Sequence, residues 1–213
     1  MRSIFVPLSL CFITLASLSL LAPARAATPA EAFISTVTTE ALNILRTSTS
    51  AEDREQQFGS LLDNFTNMRR IARFTLGASA RTISEQDLNN FELTLRDTLV
   101  RIYANRLAGY TDERIEISGS TTKGRNHLVT SRILFSGDRP AVDMVWWVIQ
   151  EKDGRFTLFD IQILGVWMAQ EQRDVFSGIL KSNQGSIKSL IQHLEKQVRE
   201  EARRANDEEL ASN

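Results

Sequence analysis

The side chains able to do chemistry are few and scattered along this 213-residue chain. His127 and His193 are its two histidines. Neither has a Cys, Asp or Glu neighbour at metal-ligand spacing. His127 stands beside Asn126 at the start of a strand-like run, and His193 falls off the apolar stripe of a helical one. Surface or structural roles are expected for both. Asp143 and Asp160 interrupt apolar runs. A carboxylate in an apolar site can be tuned into a general base. The alternative is a pairing with an arginine such as Arg132 or Arg106, since a buried charge needs a partner. No second catalytic group accompanies either one, which favours pairing. There is no Gly-x-Ser-x-Gly elbow and no phosphate-cradling glycine loop. The expectation is therefore no catalytic residue, no metal ligand, no resident cofactor and no enzyme.

The chain's chemical signal is apolar. Ala141 to Ile149 is apolar at eight of nine positions, and Phe156 to Met168 at nine of thirteen, with a turn at Asp153-Gly154 between them. An antiparallel strand with one wet face should alternate. Here both faces must be covered, or one must hold something greasy. Alternation separates Val142, Met144, Trp146 and Val148 from a set containing Asp143. It separates Phe159, Ile161 and Ile163 from Asp160 and Gln162. The run before them contributes Val129, Ile133 and Phe135, and the first run Ile115 and Ile117. Together these residues make one continuous apolar lining. It is either an ordinary core or a pocket for an apolar ligand.

Four strands are expected, at Arg114–Ser120, His127–Phe135, Val142–Glu151 and Arg155–Ile163, joined by short turns into an antiparallel meander. Helical periodicity covers 29–46, about 53–65 and 68–76, the last ended by Gly77. The clearest helix starts at Ser84, which can cap the amide of Asp87. Leu88, Phe91, Leu95, Leu99 and Ile102 follow, and Leu93, Val100, Tyr103 and Leu107 widen the stripe. A stripe that wide predicts contact with a sheet. Two helices follow, over about 166–180 and 186–203, and the polar segment 201–213 is expected to fray as a flexible tail. Helices, then antiparallel strands, then helices predict an α+β fold. The expected shape is a curved four-stranded sheet packed on about six helices, a cone around an apolar internal cavity.

Residues 1–26 read as a cleaved signal peptide: Met1-Arg2, an apolar run from Ile4 to Leu21, and the cleavage pattern Ala24-Arg25-Ala26. Its removal takes away Cys11, the single cysteine, and leaves 27–200 as one domain. Loss of Arg2 and Arg25 lowers the basic count from 25 to 23 against 26 acidic residues, a net charge of −3. No electrostatic footprint for nucleic acid remains.

Two ordered stretches resemble a known family. The first is Ile71-Ala-Arg-Phe-Thr-Leu-Gly77, followed by Ser84-Glu-Gln86, Phe91 and Tyr103-Ala-Asn-Arg-Leu-Ala-Gly-Tyr110. The second runs through Val142-Asp143, Asp153-Gly154, Phe159-Asp160-Ile161, Gly165-Val166 and Gln172-Arg173-x-x-Phe176. Their order over residues 30–197 resembles the MlaC family of periplasmic phospholipid-binding proteins, also called the toluene-tolerance auxiliary component. The resemblance implies an NTF2-like cone and a monomeric periplasmic carrier with phospholipid as cargo. It implies two partners, an inner-membrane ABC transporter with its substrate-binding subunit and an outer-membrane lipoprotein complex, and a role in outer-membrane lipid asymmetry. The lining residues above, with Leu95, Leu99 and Tyr103, then become the lipid-binding set. A hopanoid-associated branch, HpnM, resembles the same family and would carry a polycyclic ligand. An NTF2-like enzyme on an apolar small molecule, with Asp143 or Asp160 as base, and an exported adaptor with a solid core remain as alternatives.

Overall fold

The computed structural model describes residues 26–212, with side chains described through Arg204. The expected signal peptide therefore lies outside the described residues, Ala26 excepted. Helix α1 spans Pro29–Thr47. Thr28 and Glu31 start it as a reciprocal capping box: Thr28 Oγ accepts the Glu31 N–H (3.2 Å), and the Glu31 carboxylate accepts the Thr28 N–H (3.0 Å). Helices α2 (Ala51–Phe65) and α3 (Met68–Thr75) follow. Gly77 then takes a left-handed conformation (φ 58°) that a side chain would resist. Helix α4 (Glu85–Arg106) is capped as its sequence predicts, the Asp87 N–H donating to Ser84 Oγ at 3.0 Å.

The sheet is β1 (Arg114–Lys123), β2 (Asn126–Leu134), β3 (Val142–Gln150), β4 (Phe156–Ile163) and a two-residue β5 (Val166–Trp167). Its spatial order is β1-β2-β3-β4-β5, and each neighbouring pair is antiparallel. The meander is as predicted, with one short strand more. β5 takes the residues that periodicity assigns to the start of the next helix, because Gln162 and Ile163 fold back to pair with Trp167 and Val166. Helices α5 (Met168–Ser182) and α6 (Ile187–Ser212) complete the chain.

Helix α6 continues past residue 201 to Ser212, and Glu201 accepts two hydrogen bonds from the Arg106 guanidinium at 2.7 and 2.8 Å. One expectation changes here. Helix α4 does not use its wide stripe on the sheet. α2, α3 and α6 pack along it. Leu88, Phe91 and Leu95 meet Phe176, Leu190 and Leu194 in one core, while Val100 and Ala104 meet Ile44, Phe58 and Leu61 in another. Leu93 is 60% exposed. A wide apolar stripe tells how much surface is covered, not what covers it.

Candidate functional site

The third core is the sheet itself. Cross-strand partners share a face. The register pairs Ile133 with Val142, Ser131 with Met144, Val129 with Trp146 and His127 with Val148. It pairs Met144 with Ile163 and Trp146 with Ile161, and Ile115 and Ile117 with Ile133 and Ser131. These residues form the inner face, to which the four long strands contribute no Asp, Glu, Lys or Arg. Val129, Met144, Trp146 and Val148 are buried in one cluster, with Ile115, Ile117, Ile133, Ile161 and Ile163 half-buried against it. Val142 opens β3 on this face, also half-buried.

Ten of the fifteen expected lining residues therefore lie together, and five do not. Phe159 is the extra residue of a β-bulge. Trp147 pairs with Asp160 and Val148 with Leu158, so Phe159 has no partner in β3 and turns to the outer face. There its ring meets Trp147 edge-on at 5.0 Å and Phe74 at 5.1 Å. The bulge brings Leu158 and Phe156 to the inner face in its place. Phe135 lies past the end of β2, against Tyr110 and beneath the Arg139 guanidinium. Leu95 and Leu99 belong to the helical core. Tyr103 borders a cleft of about 180 Å³ between α4, α5 and α6.

Sequence periodicity missed what covers the inner face. Ala30, Phe33 and Ile34 of α1 pack onto it, so in this state the expected hollow is filled. Polar contacts tie α1 down near both ends. At its start Ser120 Oγ donates to Glu31 Oε1 at 2.7 Å and lies 3.0 Å from Thr28 Oγ. At its finish Arg46 donates to the carbonyls of Thr111 (2.7 Å) and Glu113 (3.1 Å). Within the face, the Trp146 indole N–H donates to Ser131 Oγ at 2.7 Å, and Ser131 is fully buried.

The carboxylates part company. Asp143 is 84% exposed and 3.4 Å from Arg132, the expected pairing. Asp160 is buried but has no arginine; Arg106 is engaged by Glu201. Instead its Oδ1 accepts the backbone N–H groups of Ile161 and Ala169, each at 2.8 Å. Burial pushes the Asp160 pKa up, and these amides pull against that shift. Ala169 lies in the first turn of α5, whose N-cap residue Trp167 gives no side-chain cap. Asp160 therefore satisfies a helix start from outside the helix. Amides carry no residue identity, so periodicity could not name them as partners.

The outer face is aromatic and pinned. Trp147 meets Phe159 and Trp167 edge-on and donates its indole N–H to Asn126 Oδ1 at 2.9 Å. A polar cleft of about 660 Å³ opens between the α2–α3 junction and the β3–β4 turn, lined by Arg69, Arg70, Arg125, Lys152 and Arg155 with Asp63, Glu92, Glu151 and Asp153. Arg70 and Glu151 form a two-pronged pair there (Nη2 to Oε2, 2.8 Å), which holds the Glu151 carboxyl at about 2.

A mixed α+β domain whose antiparallel sheet turns a charge-free face toward one tethered helix is the class this architecture defines. The chain belongs to the MlaC protein family, whose sequence profile matches residues 35–196. It is 24% identical over 130 residues to the "Intermembrane phospholipid transport system binding protein MlaC" of Haemophilus influenzae, a match spanning 60% of each chain. Its fold matches the solved structure of the phospholipid-binding protein from Ralstonia solanacearum in complex with a phospholipid. That match has a TM-score of 0.71 at 18% identity and covers 82% of this chain and 99% of that one.

Proposed function

We propose that this protein is a periplasmic phospholipid carrier that does no covalent chemistry. It shuttles lipid between an inner-membrane ABC transporter, through that transporter's substrate-binding subunit, and an outer-membrane lipoprotein complex. Its role is to maintain outer-membrane lipid asymmetry. The observation that carries this reading is the inner face: no charged sheet residue, half-buried isoleucines, and a cover formed by one helix held through polar contacts at its ends. The names of the two relatives support it. Acyl chains take the place of the α1 side chains on that surface. Each methylene removed from water contributes about 0.8 kcal/mol, so two chains are held strongly. Release then requires a partner that lifts α1. The commitment of Asp160 to backbone amides and of Asp143 to Arg132 leaves neither as a general base.

Organic extraction of the purified protein, followed by mass spectrometry, tests the reading. Stoichiometric phospholipid is expected. Hopanoid in its place would change the cargo, and protein that is empty and takes up no lipid would overturn the carrier. Rapid spontaneous lipid loss to bare vesicles would remove the need for a partner.

A further inference from the structure

Among the described residues, three buried side-chain atoms have no hydrogen-bond partner: Glu113 Oε2, His127 Nε2 and His193 Nε2. His193 is on α6 and Glu113 precedes β1. His127 is on the inner face of the sheet, opposite Val148. The other polar groups of that face are engaged. Ser131 accepts from Trp146, Ser120 donates to Glu31, and Thr122 Oγ1 lies 2.9 Å from His127 Nδ1. A buried polar atom left without a partner costs stability, and in a native fold it calls for an explanation. The imidazole is in T-shaped contact with the Phe156 ring, centroids 5.3 Å apart at 79°. An aromatic ring is at best a weak partner for an N–H, so a ligand oxygen competes with it readily.

The Thr122 Oγ1 contact is compatible with either neutral tautomer of His127. When Thr122 donates to Nδ1, the ring proton sits on Nε2, which becomes a donor. The ester carbonyls and phosphate of a glycerophospholipid present acceptor oxygens, which match that donor. The position also gives an orientation. His127 and Phe156 lie at one end of the lining, followed by Phe33 and Phe65 in ring contact. Arg125 and Thr157, close in sequence to His127 and Phe156, line the 660 Å³ polar cleft at this end. Ile133, Val142 and Ile163 lie at the other end.

We propose that His127 Nε2–H anchors the polar end of the cargo, donating to an ester or phosphate oxygen. The headgroup then points to the polar cleft and the chains run toward Ile133 and Ile163. This rests on the carrier reading. Its test compares wild type, His127→Phe and His127→Gln, each stripped of lipid, binding palmitoyl-oleoyl phosphatidylglycerol and, separately, pyrene as an apolar probe without acceptors. His127→Phe should lose about tenfold in phospholipid affinity, the worth of one good hydrogen bond, and bind pyrene as wild type does. His127→Gln, which keeps an N–H, should recover most of the loss. In wild type, loading with phospholipid should shift the ¹⁵N resonance of His127 Nε2. That measurement decides the matter if His127→Phe does not fold. Equal phospholipid affinity in His127→Phe, an equal loss for both probes, or an unmoved Nε2 resonance would overturn the anchor alone. Wild type that takes up no phospholipid would overturn the carrier reading, and the anchor with it.

Discussion

On the outer face of β3 and β4, Trp147, Phe159 and Asp160 each have a specific partner: an aromatic edge, a second ring, or the amides that start α5. On the inner face, Ile161 and Ile163 continue the same strand, pack against the apolar cluster and stay half-buried. Both faces are greasy, yet they are built differently. Directional contacts fix the outer face to α3 and α5. The apolar contacts of the inner face are non-directional, so one apolar occupant can replace another there once the polar ties at the ends of α1 open. A surface meant to exchange α1 for acyl chains needs that property, and a structural seam needs the opposite.

The sharpest way to break this comparison is to truncate neighbours of opposite facing on one strand. Phe159→Ala removes a buried ring set between Trp147 and Phe74 and should cost about 3–5 kcal/mol in urea unfolding. Phospholipid recovered per folded molecule should not change. Ile161→Ala removes a half-buried side chain and should cost about 2 kcal/mol, the low end for such truncations, while lowering the recovered lipid. Lipid lost in the first variant and kept in the second would exchange the roles of the two faces.

Asp160 sharpens the comparison chemically. Asp160→Ala strands the N–H groups of Ile161 and Ala169 in a buried setting and should destabilise by about 2 kcal/mol. Asp160→Asn keeps an acceptor and should cost less. Burial raises the Asp160 pKa above its ordinary 3.8, so the native state binds its proton more tightly than the unfolded chain does. That part of its contribution is fully present below pH 3.8 and is lost as pH rises through the folded value. Asp160→Asn should remove this slope from the stability–pH profile; an unchanged slope would assign it to another group.

The difference between the faces was partly legible in the residues. Alternation placed Val129 and Ile133 of β2 and the four β3 residues on one face, because a regular strand has a period of two and Asp143 marks the wet side; Phe135 fell outside because β2 ends at Leu134. It failed at Phe159, because a bulge is a property of two strands in register, and β4 alone carries no sign of it. It also offered α4 to the sheet, although α1 covers the lining. Both helices carry apolar stripes, and only the chain's path decides which one reaches the strands. Ser131 could have been placed by the same alternation, between Val129 and Ile133. Its value as the acceptor for Trp146 depends on a cross-strand pairing that periodicity does not supply.

The Arg70–Glu151 pair extends the comparison to the end of the β3–β4 turn, where it joins α3 to the sheet. Its hydrogen bonds hold the Glu151 carboxyl at about 2, against 4.5 for a free one. The stability this supplies is therefore fully present above pH 4.5 and is lost as pH falls toward 2. With Arg70 about one-third exposed, solvent screening brings the effect to about 1–2 kcal/mol. Acid titration of thermal unfolding should show that loss in wild type, and Arg70→Ala should flatten it. An Arg70→Ala protein with the wild-type acid limb would mean that the junction is held by packing alone.

The smallest effect belongs to the one charged pair on the outer face of the β2–β3 ladder. Arg132 and Asp143 face each other across the register, 55% and 84% exposed and 3.4 Å apart. An ion pair this wet is worth less than about 0.5 kcal/mol. Asp143→Ala should therefore leave the urea midpoint and the recovered lipid almost unchanged, and added salt should not separate it from wild type. The contrast with Asp160→Ala is the informative part. Both carboxylates interrupt apolar runs on the same hairpin, and periodicity treats them alike. If Asp143→Ala proved as damaging as Asp160→Ala, the charge would matter more than burial and amide partners, and the outer face would be held by electrostatics.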